Sequence, residues 1–437
     1  MPKIYKEQNV FDASMDRIKY VFSEFENVLV AFSGGKDSGM LLNLCYKYAK
    51  ENNMLNKLAM YHLDYEAQYQ ATTEYVDDTF KEFEGIKKYW LCVPIAAQCA
   101  VSMTQNHWIP WDTDKKDIWC RDIPEYYYVI TEKNIQCKFH KGMWDYDLQS
   151  NFCKWFAESF GKTAVMIGIR TDESLNRFRA INNTETIRKY KDKVYINQVN
   201  EKTFNAYPIY DWNVEDIWIA NAKCGFKYNP LYDLMYKAGL TINQMRVASP
   251  FNDCAIESLK MYKAIEPNTW GKLIGRVNGV NFSGIYGGTT AMGWKSIKLP
   301  PGHTWKSYMY FLLDTLPPEI RENYLKKLKT SIDFWKKKGG ALDDCVIEEL
   351  KNAGMKYELS DVKSNYSDKQ VVKFEDYPDD AEIKSFKIVP SYKRMCVCIM
   401  KNDHMCKYMG FSQTKIEKEK RDKTIEKYKC IARGGRK

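Results

Sequence analysis

A buried β-type run, Asn27-Val-Leu-Val-Ala-Phe32, passes without a break into Ser33-Gly34-Gly35-Lys36-Asp37-Ser38 and then into an apolar helical pattern opening Gly39-Met-Leu-Leu. Strand, glycine turn and helix in that order restrict what the chain can become. Adjacent glycines let the backbone turn tightly with its amides pointing inward, and a helix that starts at once adds the positive end of its dipole. The product is a cradle for an anion such as phosphate. Lys36 can neutralise phosphate charge, and Ser33 and Ser38 can donate to its oxygens. The spacing Gly-x-x-x-x-Gly-Lys-Ser/Thr is absent here, which excludes a Walker loop, and Gly-x-Gly-x-x-Gly is absent too, which excludes a dinucleotide fingerprint.

The segments around this loop repeat the alternation. Apolar spacing predicts helices over 12–25, 38–50, 72–83 and 148–160, and strands over 27–32, 57–63, 88–93 and 163–169. Strands alternating with helices give an α/β fold, a doubly wound, mainly parallel sheet. A stretch dense in Trp, Tyr and His over 95–146, with Pro110 and Pro124, breaks the alternation and reads as an insertion beside the sheet. A hairpin near 191–197 then leads to a helix over 214–222. A composition shift at Ser249-Pro250 marks the expected boundary between a nucleotide-binding domain, 1–249, and a helix-rich, basic C-terminal domain, 250–437, with an acidic linker near 361–380.

At 437 residues, 45% hydrophobic and 14% aromatic, the chain has enough apolar side chain for two or three cored domains and is not a disordered or low-complexity sequence. Its longest apolar runs fall far short of the ~20 residues that cross a bilayer. The opening Met-Pro-Lys-Ile-Tyr-Lys-Glu has no apolar core of a secretory signal. Thirteen cysteines therefore read as reduced thiols, and the expected location is cytoplasmic.

Two further blocks carry chemistry. Gly168-Ile-Arg170-Thr-Asp172-Glu173-Ser174-Leu-Asn-Arg177-Phe-Arg179 follows a predicted strand, placing three guanidiniums and two carboxylates at a carboxyl end where open α/β sheets bind ligands. Arginine suits bidentate contacts to phosphate or sulfate; the plainer reading is a surface loop with local salt bridges. Tyr207-Pro-Ile-Tyr-Asp211-Trp212-Asn-Val-Glu-Asp216-Ile-Trp218 has its apolar residues at helical spacing and reads as core. Asp64 lies just past the second strand, in His62-Leu-Asp64-Tyr-Glu66.

The hexapeptide resembles the PP-loop of the ATP pyrophosphatase superfamily, which includes the sulfate adenylyltransferase small subunit, phosphoadenosine phosphosulfate (PAPS) reductases, tRNA thiolation enzymes and GMP synthetase. The 168–179 block resembles the Gly-x-Arg-x-Asp-Glu-Ser-x-x-Arg block of the PAPS reductase and sulfate adenylyltransferase branch, and 207–218 resembles that branch's Pro-x-x-Asp-Trp-x-x-x-Asp-Val-Trp segment. The resemblance implies an adenine nucleotide alpha hydrolase-like fold. It implies nucleotide contacts from Ser33, Gly34, Gly35, Lys36, Asp37, Ser38, Asp64, Arg170, Asp172, Glu173, Arg177 and Arg179. Lys36 and Arg170 would hold phosphates, Asp37 would position the loop or Mg-ATP, and Arg177 or Arg179 would meet the leaving group or acceptor. Mg2+ follows from the triphosphate.

The departures from that branch are informative. A PAPS reductase cleaves the sulfur–oxygen bond with a cysteine in a C-terminal Glu-Cys-Gly-Leu-His type motif, and related reductases hold an iron–sulfur cluster on a Cys-Cys pair. Neither motif is present, while Lys36 and Asp37 are intact, which favours ATP over PAPS. Cys396, Cys398 and Cys406, with His404 and either Cys254 or Cys430, are the candidates for a zinc or iron–sulfur site, although the apolar neighbours of Cys396 and Cys398 read as a core strand. Cys92, Cys99 and Cys137 read as packing, and Cys120, beside Arg121, as packing or a reactive thiol.

Formal charge is +10, and 411–437 holds ten Lys/Arg against four acids, a net of +6. That tail is either a solvated helix with a loose end or a contact for nucleic acid. Ile265-Glu-Pro-Asn-Thr-Trp270, Arg276-Val-Asn-Gly279, Lys298-Leu-Pro-Pro-Gly-His-Thr-Trp305 and Cys396-Val-Cys-Ile-Met-Lys-Asn-Asp403 resemble bacterial and phage proteins similar to immunoglobulin-binding regulator A (IbrA). That resemblance implies a ParB-like protein partner and a link to gene regulation. The leading expectation is an enzyme that binds Mg-ATP and adenylates an acceptor with release of pyrophosphate, in sulfur transfer or nucleic-acid modification. Two rivals keep the same pocket: a PAPS or APS reductase-like enzyme with a non-standard thiol, and a nucleotide-sensing regulator without turnover.

Overall fold

The alternating segments fold as one eight-stranded sheet in the computed structural model, which describes residues 7–182, 188–242, 244–253, 259–286, 297, 299–360 and 369–411, without the side chains of Leu175, Asn176, Arg179, Asn182 and Tyr286. The strands are β1 (Asn27–Ala31), β2 (Leu58–Leu63), β3 (Lys87–Leu91), β4 (Val129–Ile130), β5 (Thr163–Ile167), β6 (Arg188–Tyr190), β7 (Lys193–Gln198) and β8 (Thr203–Ala206). They lie in the order β4-β3-β2-β1-β5-β8-β7-β6. Pairing is parallel from β4 through β8, and β7 and β6 add an antiparallel edge.

Why these segments are strands is visible in their burial. Every residue of β2 is buried, as are four of the five in β1, the pattern of strands covered on both faces. Side chains alternate between two cores: Val28 and Val30 meet one face with Ile18, Phe22 and Leu41, while Leu29 meets the other with Phe152 and Phe156. Helices α1 (Val10–Glu24), α2 (Lys36–Glu51), α3 (Gln70–Glu82) and α6 (Val214–Cys224) feed the first core, and α4 (Asp145–Phe160) feeds the second. Between them in sequence, α5 (Leu175–Asn182) follows β5, and α7 (Leu231–Lys237) and α8 (Pro267–Arg276) come after α6.

The order of strands locates the site. From β1 the chain steps outward to β2, β3 and β4, then returns to lay β5 on the opposite side of β1. The direction of winding therefore reverses between β1 and β5, and the loops leaving their carboxyl ends diverge to leave a crevice. Residues 32–35 and 168–174 are those loops.

The aromatic insertion is not wholly beside the sheet. Its residues 129–130 form β4, because Trp90 N donates to Tyr128 O at 2.9 Å and Cys92 N to Ile130 O at 2.7 Å. Two buried acids just past β2 hold the rest. Asp64 accepts Trp90 Nε1 at 2.7 Å and Arg121 at 2.5 Å. Burial works against its charged form, and Arg121 overrides that, holding the carboxyl below its usual range. Glu66, in the left-handed region at φ 62°, accepts the amides of Trp111 at 2.7 Å and Cys120 at 3.0 Å and the Arg276 guanidinium at 2.8 Å.

That last pair also moves the boundary. The chain divides into two compact units, one of Met1–Val101 with His107–Ile285 and one of Ser102–Asn106 with Tyr286–Lys437, so 250–285 belongs with the first unit and not with the second domain expected from Ser249-Pro250. Arg276 on α8 pairs with Glu66, and Glu266 caps α3 by accepting the amides of Gln70 and Ala71 at 2.8 and 3.2 Å. Composition shifts there, but packing does not.

The second unit is helix-rich, with α9 (Trp305–Asp314), α10 (Pro318–Lys337), α11 (Asp344–Asn352) and α12 (Tyr392–Met400). It also holds a three-stranded antiparallel sheet of β9 (Gly340–Leu342), β10 (Glu358–Leu359) and β11 (Gln370–Lys373) in the order β9-β11-β10, so part of the expected linker is β11. Its main core joins Met309, Leu313, Tyr324 and Leu328 to Met395 and Cys398. No helix among the described residues is long and apolar enough to cross a membrane. The basic tail beyond Phe411 lies outside the described residues.

Glu66 and Arg276 have side chains 0% and 2% exposed. Breaking such a pair strands a charge, so Arg276→Leu should lose about 3–5 kcal/mol in urea unfolding of the first unit; an unchanged midpoint would show that the pair does not hold 250–285 in place.

Candidate functional site

The loop after β1 is built so that a side chain at either of two glycines would obstruct it. Gly34 sits at φ +78°, a conformation L side chains rarely adopt, with Val76 Cγ2 3.0 Å from where a Cβ would stand. Gly35 is the N-cap of α2, and Lys36, Asp37 and Ser38 form its first turn, so their amides have no intrahelical partner and all but that of Lys36, which meets Tyr232, are left for a ligand. The two serines brace the turn: their hydroxyls are 2.9 Å apart, and Ser33 N donates to Ser38 Oγ at 3.1 Å. From β5, Gly168 passes against this turn so closely that a Cβ would lie 2.9 Å from the Asp37 carbonyl and the Ser38 Cα.

The charged groups meet across the crevice. Asp37 Oδ2 is 3.1 Å from Lys36 Nζ and Asp37 Oδ1 is 2.6 Å from Arg170 Nε. Arg170 is further flanked by Glu173 at 3.5 Å and Asp172 at 3.9 Å, and Arg177 pairs with Glu173. The Lys36 and Arg170 side chains are 8% and 5% exposed. Burial pushes the Lys36 ammonium down, with Asp37 opposing it.

These residues line a cavity of ≈ 610 Å³. Its lining joins the charged and polar set, Ser33 with Gly35 to Ser38 and Arg170, Asp172, Glu173, Arg177 and Arg246, to apolar side chains that include Ile167, Ile169, Val214, Met245 and Val247. An anionic group on a flat apolar body fits such a lining. The structure thus brings together most of the residues that the sequence singled out.

Others fall elsewhere. Asp64 does not line the cavity; it is 0% exposed and spent on Arg121 and Trp90, because β2 ends beneath the insertion. The side chain of Arg179 lies outside the described residues, as do Cys254 and Cys430. The Cys396-Val-Cys398 segment is helix α12 and not a strand, and residues two apart on a helix point about 200° from one another. Cys396 Sγ accordingly faces Trp305 O at 3.5 Å and Cys398 Sγ faces Asp403 at 3.6 Å. Among the described residues no three His, Cys, Asp or Glu side chains are placed to hold a metal. Burial pushes the Cys120 and Cys396 thiols up to about 12, and with Cys120 only 6% exposed this favours its reading as packing.

Sequence reading missed a third wall. Asn229 Nδ2 donates to Gly34 O at 2.9 Å and to Thr72 Oγ1 at 3.0 Å, and Tyr232 Oη accepts the Lys36 amide at 3.0 Å. The signal available was Asn229-Pro230, a helix-starting pair immediately before α7. It does not say what α7 touches.

Residues 129–238 match the family model of the phosphoadenosine phosphosulfate reductase domain, and 239–420 match a domain of unknown function, DUF3440. The chain is 32% identical over 429 residues to the uncharacterized protein YbdN of Escherichia coli (strain K12), covering 96% of this chain and 94% of that one. Among solved structures it is similar to the PAPS reductase of Candida auris, at 10% identity over 57% of this chain and 98% of that one, TM-score 0.29. It is also similar to the U34-tRNA thiolase NcsA of Methanococcus maripaludis, at 12% identity over 63% and 82%, TM-score 0.30. At those TM-scores neither structure bears on the site.

Gly168→Ala should separate β5 from the loop, since the obstructing atoms are backbone and cannot swing away. The expected cost is about 1–3 kcal/mol in thermal unfolding, together with weaker binding of inorganic pyrophosphate. A variant that melts and binds like the parent would show that the two loops need not touch.

Proposed function

The chain belongs to the same family as YbdN, and from its PAPS reductase-type domain and its loop site we propose that it binds Mg-ATP and transfers the adenylyl group to an acceptor with release of pyrophosphate. The observation that carries this reading is the convergence of Lys36 and Arg170 on one carboxylate, over the N-terminus of α2. Phosphates seated there meet two cations and a row of backbone amides. The apolar side chains of the lining take the adenine.

The chemistry asks the protein for position and charge more than for bond-making. An acceptor oxygen attacks the α-phosphorus while the bond to the β-phosphate breaks in line, and the pyrophosphate that departs carries the growing charge. Lys36, Arg170 and the amides of Asp37 and Ser38 stabilise that charge. Asp37 holds both cations in place before the nucleotide arrives. Asp172 and Arg177, with side chains 47% and 43% exposed, stand at the rim, where Arg177 would meet the leaving group or the acceptor. A divalent ion arriving with the triphosphate would be held by Asp172 and Glu173 of the cavity and would neutralise part of the phosphate charge.

A thiol mechanism has less support. None of the eleven described cysteines lines the cavity. An intact Lys36-Asp37 pair engaged with Arg170 fits a triphosphate better than a phosphosulfate awaiting a thiolate.

The test is a calorimetric titration with Mg-ATP, AMP, APS, PAPS and adenosine 3′,5′-bisphosphate, followed by chromatography for AMP and pyrophosphate. Mg-ATP should bind preferentially, and Lys36→Met should weaken it roughly tenfold or more, the loss of a hydrogen bond to a charged group, without lowering the melting temperature. Tight binding of the 3′-phosphonucleotides with no response to Mg-ATP would defeat the proposal.

A further inference from the structure

We propose that Tyr232 is a ligand of the bound nucleotide: its hydroxyl, seated on the Lys36 amide at the N-terminus of α2, donates its own proton to a phosphate oxygen. This deepens the reading above and rests on it for the identity of the anion.

The hydrogen-bond arithmetic comes first. Lys36 N donates to Tyr232 Oη at 3.0 Å, so the oxygen spends a lone pair on the loop and its O–H hydrogen must turn elsewhere. Tyr232 lines the same cavity as Lys36, Asp37 and Arg170, and a phosphate oxygen over the loop is an acceptor within its reach. The ring has no room to swing. It is 3% exposed, with Trp218 edge-on at 5.3 Å and the Lys36 ammonium 5.5 Å above it.

Its helix is clamped as well. Three residues earlier, Asn229 binds Gly34 O and Thr72 Oγ1 through Nδ2 and the Leu231 amide through Oδ1. The segment carrying the hydroxyl is therefore tied to the loop it serves. Burial, and after it the charge of Asp37, pushes the phenol up, so it keeps its proton near neutral pH; a phenolate would repel phosphate. A donor fixed before its ligand arrives needs no reorganisation on binding. A hydroxyl that only plugged the amide would have to leave, and the packed ring gives it no route.

The experiment is calorimetry with inorganic pyrophosphate, Mg-ATP and adenosine on three full-length proteins: wild type, Tyr232→Phe, and one carrying 3-fluorotyrosine at position 232. Fluorination makes the hydroxyl a stronger donor and a weaker acceptor, so it separates a ligand contact from a brace on the loop. The expected result is roughly tenfold weaker binding of pyrophosphate and Mg-ATP by Tyr232→Phe, tighter binding by the fluorinated protein, and no change for adenosine. Unchanged pyrophosphate affinity in Tyr232→Phe overturns the proposal. So does tighter binding by that variant, which would make the hydroxyl a plug, or weaker binding by the fluorinated protein, which would make it only an acceptor for the loop. A wild type that takes pyrophosphate but not Mg-ATP overturns the nucleotide reading instead, and the pyrophosphate arm then decides Tyr232 alone; one that takes neither overturns both.

Discussion

The Asp37 carboxylate lies between Lys36 Nζ at 3.1 Å and Arg170 Nε at 2.6 Å, and through it the two carboxyl-end loops of the switch point are locked together. Side chains this buried do not gain much from Coulomb attraction alone, because desolvation offsets most of it. What the arrangement does achieve is geometric. Two cations, one next to Asp37 and one 133 residues beyond it, are fixed over one helix N-terminus, and the close pass of Gly168 lets β5 come near enough for Arg170 to reach.

A second set of buried ions works at the neighbouring strand. Asp64 and Glu66 leave the end of β2 and gather Arg121 from the insertion and Arg276 from α8, so the insertion is bound to the sheet by two fully buried carboxylates. The family of carboxylates near the sheet's carboxyl edge thus splits by task. Asp37 and Glu173 face the cavity, whereas Asp64 and Glu66 secure the fold. Position along the chain alone does not separate these roles; the partner guanidinium does.

How much of this the sequence disclosed follows from how local each interaction is. The β1–loop–α2 unit was legible because strand, glycines and helix are contiguous, and the parallel sheet was legible because its strands read as continuous apolar runs. The roles of Asp64 and Glu66 were not, since their partners are 57 and 210 residues away. Tyr232 was invisible as a site residue for the same reason, standing 196 residues from the amide it meets. Cys396 and Cys398 misled through their neighbours: Met395, Val397 and Ile399 suit a strand or a buried helix, and only packing against α9 and α10 settles for the helix. The break at Ser249-Pro250 misled because composition records turn chemistry, while the unit boundary records who packs with whom.

The account stands or falls on where the nucleotide's phosphates sit. A crystal structure of the protein soaked with a non-hydrolysable ATP analogue and Mg2+ reads this directly. Phosphate oxygens should stand on the amides of Asp37 and Ser38, within hydrogen-bond reach of Lys36, Arg170 and the Tyr232 hydroxyl, with the base against Ile169 and Val247. Phosphates bound away from that loop, for instance in the smaller cavity of ≈ 410 Å³ beside Phe80, Lys88 and Tyr127, would contradict it.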